Sequence, residues 1–354
     1  MASIPGELIP TALVTAQDLV DPAMRAAVSR LCPQMARVAG YHHGWLDQEG
    51  RPTLGKGGKA LRPALALLGA QAAGGPTQAG VVGAVAVELM HSFSLLHDDI
   101  MDRDTERRHR PTAWVVFGDT AAILAGDALL VEAVRVLLDY PGHGPAAAAR
   151  LLEDAQRLVG GQASDVEFER RNDVTLNECL DMAGDKTGAL IASACSVGAI
   201  LAGASAPFVA NMAQFGKHLG IAFQLVDDLL GIWGGPELTG KPALSDLRSR
   251  KKSVPVVAAL QAGTPESERL GQLYLGTAPL AEEDLNRVAE LIERAGGRAW
   301  TEQEAINQLA AARECLKALS TPSGVQAEFL EIARFITDRK HHSISIPAPN
   351  HRSS

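Results

Sequence analysis

Aromatic side chains are scarce in this chain of 354 residues: eight Phe, four Trp and three Tyr, or 4% of the sequence. Alternating apolar and polar runs are scarcer still, so sandwich and barrel folds lack their usual signal. Ala, Leu and Val instead recur at helical spacing over stretches such as 78–101 and 187–204, which predicts an all-α chain. Cysteine is limited to Cys32, Cys179, Cys195 and Cys315, with no Cys-x-x-Cys spacing. These are expected to be small buried hydrophobes in a reducing compartment rather than ligands or nucleophiles. Positive charge is also in deficit, with a formal net charge of −8, which excludes recognition of a nucleic-acid backbone by a basic face. No Pro/Ser-rich linker or charge block divides the middle of the chain, so one large domain is predicted over 21–340. Residues 1–20 are expected to be a flexible N-terminal segment. The end, "HHSISIPAPNHRSS" over 341–354, has the composition of a frayed tail, with His341 and His342 solvated. "MASIPGELIPTALVTAQDLV" has no basic region followed by an apolar core, so no secretory signal is expected and a cytoplasmic location is. "LIASACSVGAILAGA" is apolar almost all round, the mark of a helix buried on several sides. Lys186, His218 and neighbouring acids leave no clean run of about 18 apolar residues there, which argues against a membrane span.

What the chain does have is two aspartate clusters, Asp98-Asp99-Ile100-Met101-Asp102 and Asp227-Asp228-Leu229-Leu230-Gly231, each ending a long apolar stretch. On a helix, Asp98 and Asp102 project together and Asp99 flanks them. Like charges at that spacing repel, and no Lys or Arg dilutes the patch. Hard oxygen ligands at this density suit Mg²⁺, which is usually held by one or two carboxylates plus substrate phosphates. A lone cluster reads equally well as an acid-decorated helix end. The second, after "IAFQLV", favours a metal site held between two facing helices. His91 lies two turns before Asp98 on nearly the same face. Arg107 and Arg108 follow the cluster, and "GKGGKALRP" places Lys59 and Arg62 in a glycine-rich loop that opens a helix near Pro63. Carboxylates for metal and cations for phosphate are thus both supplied.

The segments "GGKALRP", "ELMHSFSLLHDDIMDRDTERRHRPT", "GQASD", "DKTGALI" and "AFQLVDDLLGIWGGPELTGKPALSDLRSRKKSVP" run in one order from about residue 55 to 260. In them the chain resembles the trans-isoprenyl diphosphate synthase (polyprenyl synthetase) family, and among its members the geranylgeranyl diphosphate synthases of actinobacteria. The resemblance implies a single-domain bundle of long helices around a central apolar cavity, the isoprenoid synthase type. It implies Mg²⁺ as cofactor, three ions with a bound diphosphate, and isopentenyl and allylic diphosphates as substrates. It also implies a homodimer with no transmembrane segment. The barrier to losing pyrophosphate from an allylic diphosphate is charge separation, which metal ions, Lys and Arg reduce. On that basis Asp98 and Asp102 are expected as direct metal ligands from one wall and Asp227 from the other. Asp99 and Asp228 are then ligands through water or orienters of the direct ligands. Lys59, Arg62 and His91, with Arg108 beside them, should hold the isopentenyl diphosphate. Arg107 should contact the allylic diphosphate together with Lys186, Thr187, Gln224, Lys241 and Lys251. The catalytic set is Asp98, Asp99, Asp102, Arg107, Lys186, Asp227 and Asp228. In the family the departing pyrophosphate removes the proton, in keeping with the absence of a second catalytic His.

Four positions depart from the family pattern. Gly231 stands where a third Asp is usual, Ala60 replaces Arg, His109 stands where Gly is common, and Gly235 sits where Asp is frequent. For product length, Ser94 lies one turn, about 6 Å, below Asp98, and Phe93 is its neighbour. In the family a bulky residue at the one and a small residue at the other resemble enzymes stopping at C20. Met90 forms a possible further stop, and C15 and C25 are the rival products. A class I terpene cyclase shares the helices and one aspartate motif, but it needs no isopentenyl site and would want more aromatic rings around its cations. A non-catalytic partner subunit is the third reading, opposed by the intact first cluster.

Overall fold

The punctuation of the sequence sets where each helix begins and ends, and the computed structural model describes residues 9–53, 58, 60–235, 243–276 and 280–337. The chain opens with α1 (Thr11–Val28) and α2 (Pro33–His42), the latter with Pro at its first position, where a missing N–H costs nothing. Residues 11–20, expected in the flexible segment, are instead the first turns of α1, with Leu13, Ala16 and Val20 buried. Their apolar spacing of three and four residues is that of a core-facing stripe. Next come α3 (Leu61–Ala72) and α4 (Thr77–Met101), a hairpin of β1 (Glu106–Arg107) and β2 (Arg110–Pro111), and α5 (Ala113–Phe117). They are followed by α6 (Asp119–Leu138), α7 (Gly144–Phe168) and α8 (Leu176–Ala183). A single π-helical turn, Gly184–Gly188, joins α8 to α9 (Ala189–Leu201), and α10 (Ala206–Trp233) is the longest helix described. The C-terminal part comprises α11 (Ser245–Arg248), α12 (Val254–Leu260), α13 (Pro265–Tyr274), α14 (Glu282–Arg294), α15 (Gly297–Lys317) and α16 (Ser323–Thr337).

Three helices build the centre. α4 packs against α3, α6 and α9, while α10 lies between α9 and α15. Every residue of α9 except Ile200 is buried, as its all-round apolar sequence requires. Leu89, Met90 and Leu96 of α4 are fully enclosed, each worth about 1.5–3 kcal/mol of transfer free energy. α4 is also the one described helix long and apolar enough to cross a bilayer, but 78% of its apolar window is inside the protein. A second cluster, built on Leu247, Val256, Tyr274, Val288 and Ile292, seats α11 to α14 against Ile232 at the C-terminal end of α10. The expected burial of cysteine holds for Cys179 and Cys195, whereas Cys32 is exposed in the turn before α2 and Cys315 is half-buried. His341 and His342 lie outside the described residues.

Candidate active site

α4 ends at Met101, so the first aspartate cluster occupies its last turn, where the carbonyls of Asp98, Asp99 and Ile100 are closed off by the N–H groups of Asp102, Asp104 and Arg103. Asp98 is half-buried and Asp102 exposed, while Asp99 points into the protein at 1% exposure. Arg107 forks onto Asp99, its Nε and a terminal guanidinium nitrogen both 2.7 Å from Oδ1. Arg107 comes back to α4 because β1 and β2 pair Arg107 with Arg110 across a two-residue turn. Both turn residues, Arg108 and His109, have left-handed backbones with φ of 53° and 59°, the geometry of a type I′ hairpin.

The second cluster sits in the last two turns of α10. Asp228 is buried, and both its oxygens are engaged: Gln224 Nε2 donates to Oδ1 at 2.8 Å and the Val254 N–H, at the start of α12, donates to Oδ2 at 3.0 Å. Thr187 Oγ1 in turn donates to Gln224 Oε1 at 2.6 Å. Thr187, Gln224 and Asp228 therefore form one relay that fixes the side of α10 carrying Asp227. Asp227 itself is half-buried.

Between the clusters stands a pair of lysines. Lys186 Nζ donates to Asp165 Oδ2 at 2.6 Å, and Lys251 Nζ lies 4.0 Å from the same oxygen. The π-helical turn brings Lys186 there, and such insertions in helices are frequent at functional sites. It fits because Gly161 and Gly220 leave room: a Cβ on Gly161 would fall 2.3 Å from the Lys186 nitrogen, and one on Gly220 would fall 2.5 Å from Gly188 Cα. Lys251 is pulled two ways. Burial disfavours its charge, but the carboxylates of Asp165, Asp228, Asp246 and Asp102 outweigh burial and hold its pKa above the ordinary range. That list joins both aspartate clusters in one electrostatic unit. Burial pushes Asp98 up to about 6, with Lys186 opposing and Asp102 reinforcing the shift. Burial likewise takes Asp228 to about 6, against the pull of Lys251.

A second group lies on the upstream side. An Arg62 guanidinium nitrogen is 3.1 Å from His91 Nε2, so that nitrogen accepts and the ring is neutral. Burial, then the charges of Arg62 and Arg108, hold the His91 pKa well below its usual value. Arg62 is itself lowered, by burial and by Arg108, against the pull of Glu88 and Asp227. Arg108, whose side chain reaches solvent, shows the same direction, from desolvation first and then from Arg107, with Glu88 and Asp99 opposing. The Arg108 guanidinium also closes on Gly58, whose Cβ would lie 2.9 Å from it. Arg62 Nε is buried and has no hydrogen-bond partner among the described residues. Burial costs these guanidiniums more than Glu88, Asp227 and Asp99 return, and a bound anion would offset that cost.

The structure thus gathers the aspartates of both clusters with Lys186, Thr187, Gln224 and Lys251, and sets Arg62, His91 and Arg108 close enough for Asp227 to act on Arg62 and Asp99 on Arg108. Lys59 and Lys241 lie outside the described residues. Asp165, Asp246 and Glu88 went unassigned from sequence. "GQASD" contains Asp165, and only the fold shows it joining two lysines. Below the aspartates, Met90 is fully enclosed and Phe93 and Ser94 are buried. Phe93 meets His97 edge-on at 4.8 Å, and Ser94 Oγ donates back to the His91 carbonyl at 2.8 Å. Among the described residues no three His, Cys, Asp or Glu side chains converge closely enough to hold an ion alone. A paired Asp98 and Asp102 with raised pKa values suits a hard cation that brings phosphate oxygens with it, so the donor set fits magnesium.

Known proteins resemble the chain along most of its length. Residues 43–292 match the family model described as polyprenyl synthetase. The chain is 47% identical over 329 residues to a (2E,6E)-farnesyl diphosphate synthase of Mycobacterium tuberculosis, covering 92% of each. It is 40% identical over 299 residues to a geranylgeranyl diphosphate synthase of the same organism, covering 84% of this chain and 85% of that one. A polyprenyl synthetase structure from Streptomyces coelicolor A3(2) superposes with a TM-score of 0.89 at 50% identity, over 93% of this chain and 99% of that one. The geranylgeranyl pyrophosphate synthase of Corynebacterium glutamicum, complexed with isoprenyl diphosphate and magnesium, gives 0.77 at 27% identity, over 94% and 100%.

Proposed function

The chain belongs to the polyprenyl synthetase family, and from that premise we propose that it is a magnesium-dependent prenyl diphosphate synthase. It joins isopentenyl diphosphate to an allylic diphosphate by trans, 1′-4 head-to-tail condensation. The observation that carries this reading is the pairing of two unlike groups: an acidic one around Asp98, Asp102 and Asp227, and a cationic one of Arg62 and Arg108 with the neutral His91. A metal-bound allylic diphosphate suits the first. A bare diphosphate suits the second.

Asp98, Asp102 and Asp227 would hold the magnesium ions, with Asp99 and Asp228 fixing their orientation through Arg107, Gln224 and the Val254 N–H. Bound magnesium supplies Lewis-acid pull on the leaving diphosphate oxygens. Lys186 and Lys251, already placed by Asp165, add fixed positive charge where negative charge develops as the allylic C–O bond breaks. Neutral His91 presents an N–H and Arg62 its guanidinium to the isopentenyl diphosphate, which holds the attacking double bond in place. The released diphosphate takes the proton lost from the new chain. Four free thiols suit a reducing compartment such as the cytoplasm. Ile123, Leu124 and Val131 of α6 and Leu152 and Val159 of α7 are exposed, an apolar face suited to a homodimer.

The product is geranylgeranyl diphosphate on the pattern of a bulky Phe93 beside a small Ser94, both buried below the aspartates. The 47% identity to a farnesyl diphosphate synthase favours C15 as the second reading. The test is turnover of labelled isopentenyl diphosphate with dimethylallyl, geranyl or farnesyl diphosphate in Mg²⁺, with products dephosphorylated and sized. A C20 alcohol that disappears with chelator is expected, and it should lengthen in Phe93→Ala. A C15 alcohol replaces the product assignment alone. No elongation from any starter overturns the reading, in favour of a terpene cyclase or a non-catalytic subunit.

A further inference from the structure

Arg108 stands at the tip of a hairpin too short to hold itself. β1 and β2 contribute two residues each, and both tip residues have left-handed backbones, whereas even an isolated two-stranded hairpin of ordinary length is marginal in water. What fixes the tip must come from outside it. On the β1 side the anchor is the fork of Arg107 onto Asp99. On the β2 side it is Arg110. We propose that Arg110 is a positioning residue for isopentenyl diphosphate: it locks β2 onto the turn after α2 and so aims Arg108 past Gly58 toward Arg62 and His91. This rests on the reading above, in which those three side chains hold that substrate.

The lock has several parts. One terminal nitrogen of Arg110 donates to the Tyr41 carbonyl at 3.2 Å, the other to the Leu46 carbonyl at 2.9 Å, and the guanidinium carbon lies 4.3 Å from the centre of the Tyr41 ring. The Tyr41 hydroxyl donates in turn to the carbonyl of Pro111, the other residue of β2, at 2.7 Å. Tyr41 is itself 3% exposed and meets Phe117 of α5 edge-on at 5.2 Å. The turn after α2 is closed on itself, with the N–H groups of Trp45 and Leu46 both donating to the Gly40 carbonyl and Leu46 bridging to Pro52. β2 is therefore seated on a rigid platform by two hydrogen bonds from one planar group and by a stack on the ring that supplies the third bond. A lysine, with a compact ammonium and no plane, cannot reproduce that fork and stack.

The two anchors serve different sides of the site. Arg107 keeps its place through Asp99, and the base of the hairpin is closed independently: the Thr112 N–H donates to the Thr105 carbonyl at 3.1 Å, and Thr112 Oγ1 and Trp114 Nε1 donate to the Asp104 carbonyl at 2.9 and 2.8 Å. Loss of Arg110 thus leaves the aspartates, Arg107 and the hairpin base where they are and frees the tip to pivot about β1. Arg108, whose guanidinium lies against Gly58 and whose charge reaches both Arg62 and His91, is the side chain that moves. Isopentenyl diphosphate should then bind more weakly, and the allylic diphosphate should not.

The test compares wild type with Arg110→Ala, Arg110→Lys and Tyr41→Phe. One readout is calorimetric binding of isopentenyl diphosphate in EDTA, where no metal-bound diphosphate contributes; the other is the KM of each substrate in Mg²⁺ with the second substrate saturating. Arg110→Ala should weaken metal-free binding and raise the isopentenyl KM about tenfold, the worth of one charged hydrogen bond, with kcat and the allylic KM within about twofold of wild type. Arg110→Lys should resemble Arg110→Ala, because charge without the planar fork does not seat β2. Tyr41→Phe keeps the ring and loses only the bond to Pro111, so it should show the same pattern at about threefold, and it carries the test if Arg110→Ala fails to fold. The melting temperature without ligand follows folding separately. An isopentenyl KM unchanged in all three variants overturns the inference, as does a rise of both KM values together. Full affinity in Arg110→Lys overturns it too, by reducing Arg110 to a distant charge. A wild-type protein that neither binds isopentenyl diphosphate nor elongates any starter brings down the synthase reading, and this inference with it.

Discussion

Asp98 and Asp99 are neighbours in the chain with opposite surroundings. Asp99 is enclosed and held by Arg107, while Asp98 faces the lysines with its pKa raised to about 6. A single helical step of about 100° separates them, so the sequence shows two equal acids and the fold makes one a ligand candidate and the other a brace. Asp98→Ala should abolish turnover, measured under saturating Mg²⁺. Retention of more than about a tenth of the wild-type rate would count against its place among the metal ligands. His109 carries a different residue-level cost. It is a non-glycine residue at φ 59° in the second position of the hairpin turn, where left-handed backbone costs a side-chain-bearing residue about 1–2 kcal/mol. His109→Gly restores the residue common in the family and removes that strain. The expected outcome is a gain of about 1 kcal/mol in denaturant unfolding, partly offset by the added freedom of glycine in the unfolded chain. An unchanged or lower midpoint would show the turn to be unstrained.

At the scale of elements, α8 begins with a reciprocal cap. The Glu178 N–H donates to Thr175 Oγ1 at 3.3 Å and the Thr175 N–H donates to Glu178 Oε2 at 2.8 Å, while Arg171 donates to Glu178 Oε1 at 2.7 Å. These bonds, the backbone N–H of Thr175 foremost, pull the Glu178 carboxyl down to about 2. A carboxylate with a depressed folded pKa stabilises above its unfolded pKa, near 4.5, and loses that contribution as pH falls toward 2. Glu178→Gln should therefore lower the melting temperature at pH 7, and the gap to wild type should narrow below pH 4. A gap independent of pH would mean that the charge contributes nothing to the cap. α4 and α9 were legible from apolar spacing and α10 from the apolar run before its aspartates, whereas the cap emerges only in the structure. Other elements were not legible. The π-helical turn that aims Lys186 depends on α7 and α10 approaching through Gly161 and Gly220, and α1 reaches into 11–20 because its stripe finds a core to cover. Asp165 and Asp246 acquire roles only through contacts distant in sequence. One-dimensional spacing reports what shares a helix face, and says little about which faces meet.

At the scale of the whole molecule, the N-terminal helices are tied to the catalytic bundle through a buried imidazole. His43, 6% exposed, stacks on Trp45 at 4.5 Å and lies 3.4 Å from Ser92 Oγ on α4. Trp45 Nε1 donates to Asp21 Oδ1 at 3.1 Å, and Arg25 lies over its ring at 4.6 Å, so α1, the turn after α2 and α4 share one contact. Burial takes the His43 pKa from 6.5 to about 4, with Arg108 adding to the shift and Asp21 opposing it. Above pH 6.5 the residue is neutral folded or unfolded and contributes nothing to the pH dependence. As pH falls from 6.5 to 4 the unfolded chain takes up a proton that the folded one refuses, so stability drops, by up to about 3 kcal/mol at the lower limit. Asp98 and Asp228 act in the opposite sense: with folded pKa values raised to about 6, they regain stability as pH falls from about 6 to 4. His42 and His91, also held well below their usual value by burial, act in the same sense as His43, so the His43 contribution has to be isolated by difference. In His43→Gln the acid-dependent penalty should vanish, so that the variant is less stable than wild type at pH 7.5, through lost stacking, and gains on it steadily down to pH 4.5. Urea unfolding at four or five pH values would measure this convergence, and parallel profiles would show that His43 is solvated in both states and that the α1–α4 junction is not what makes the fold acid-sensitive.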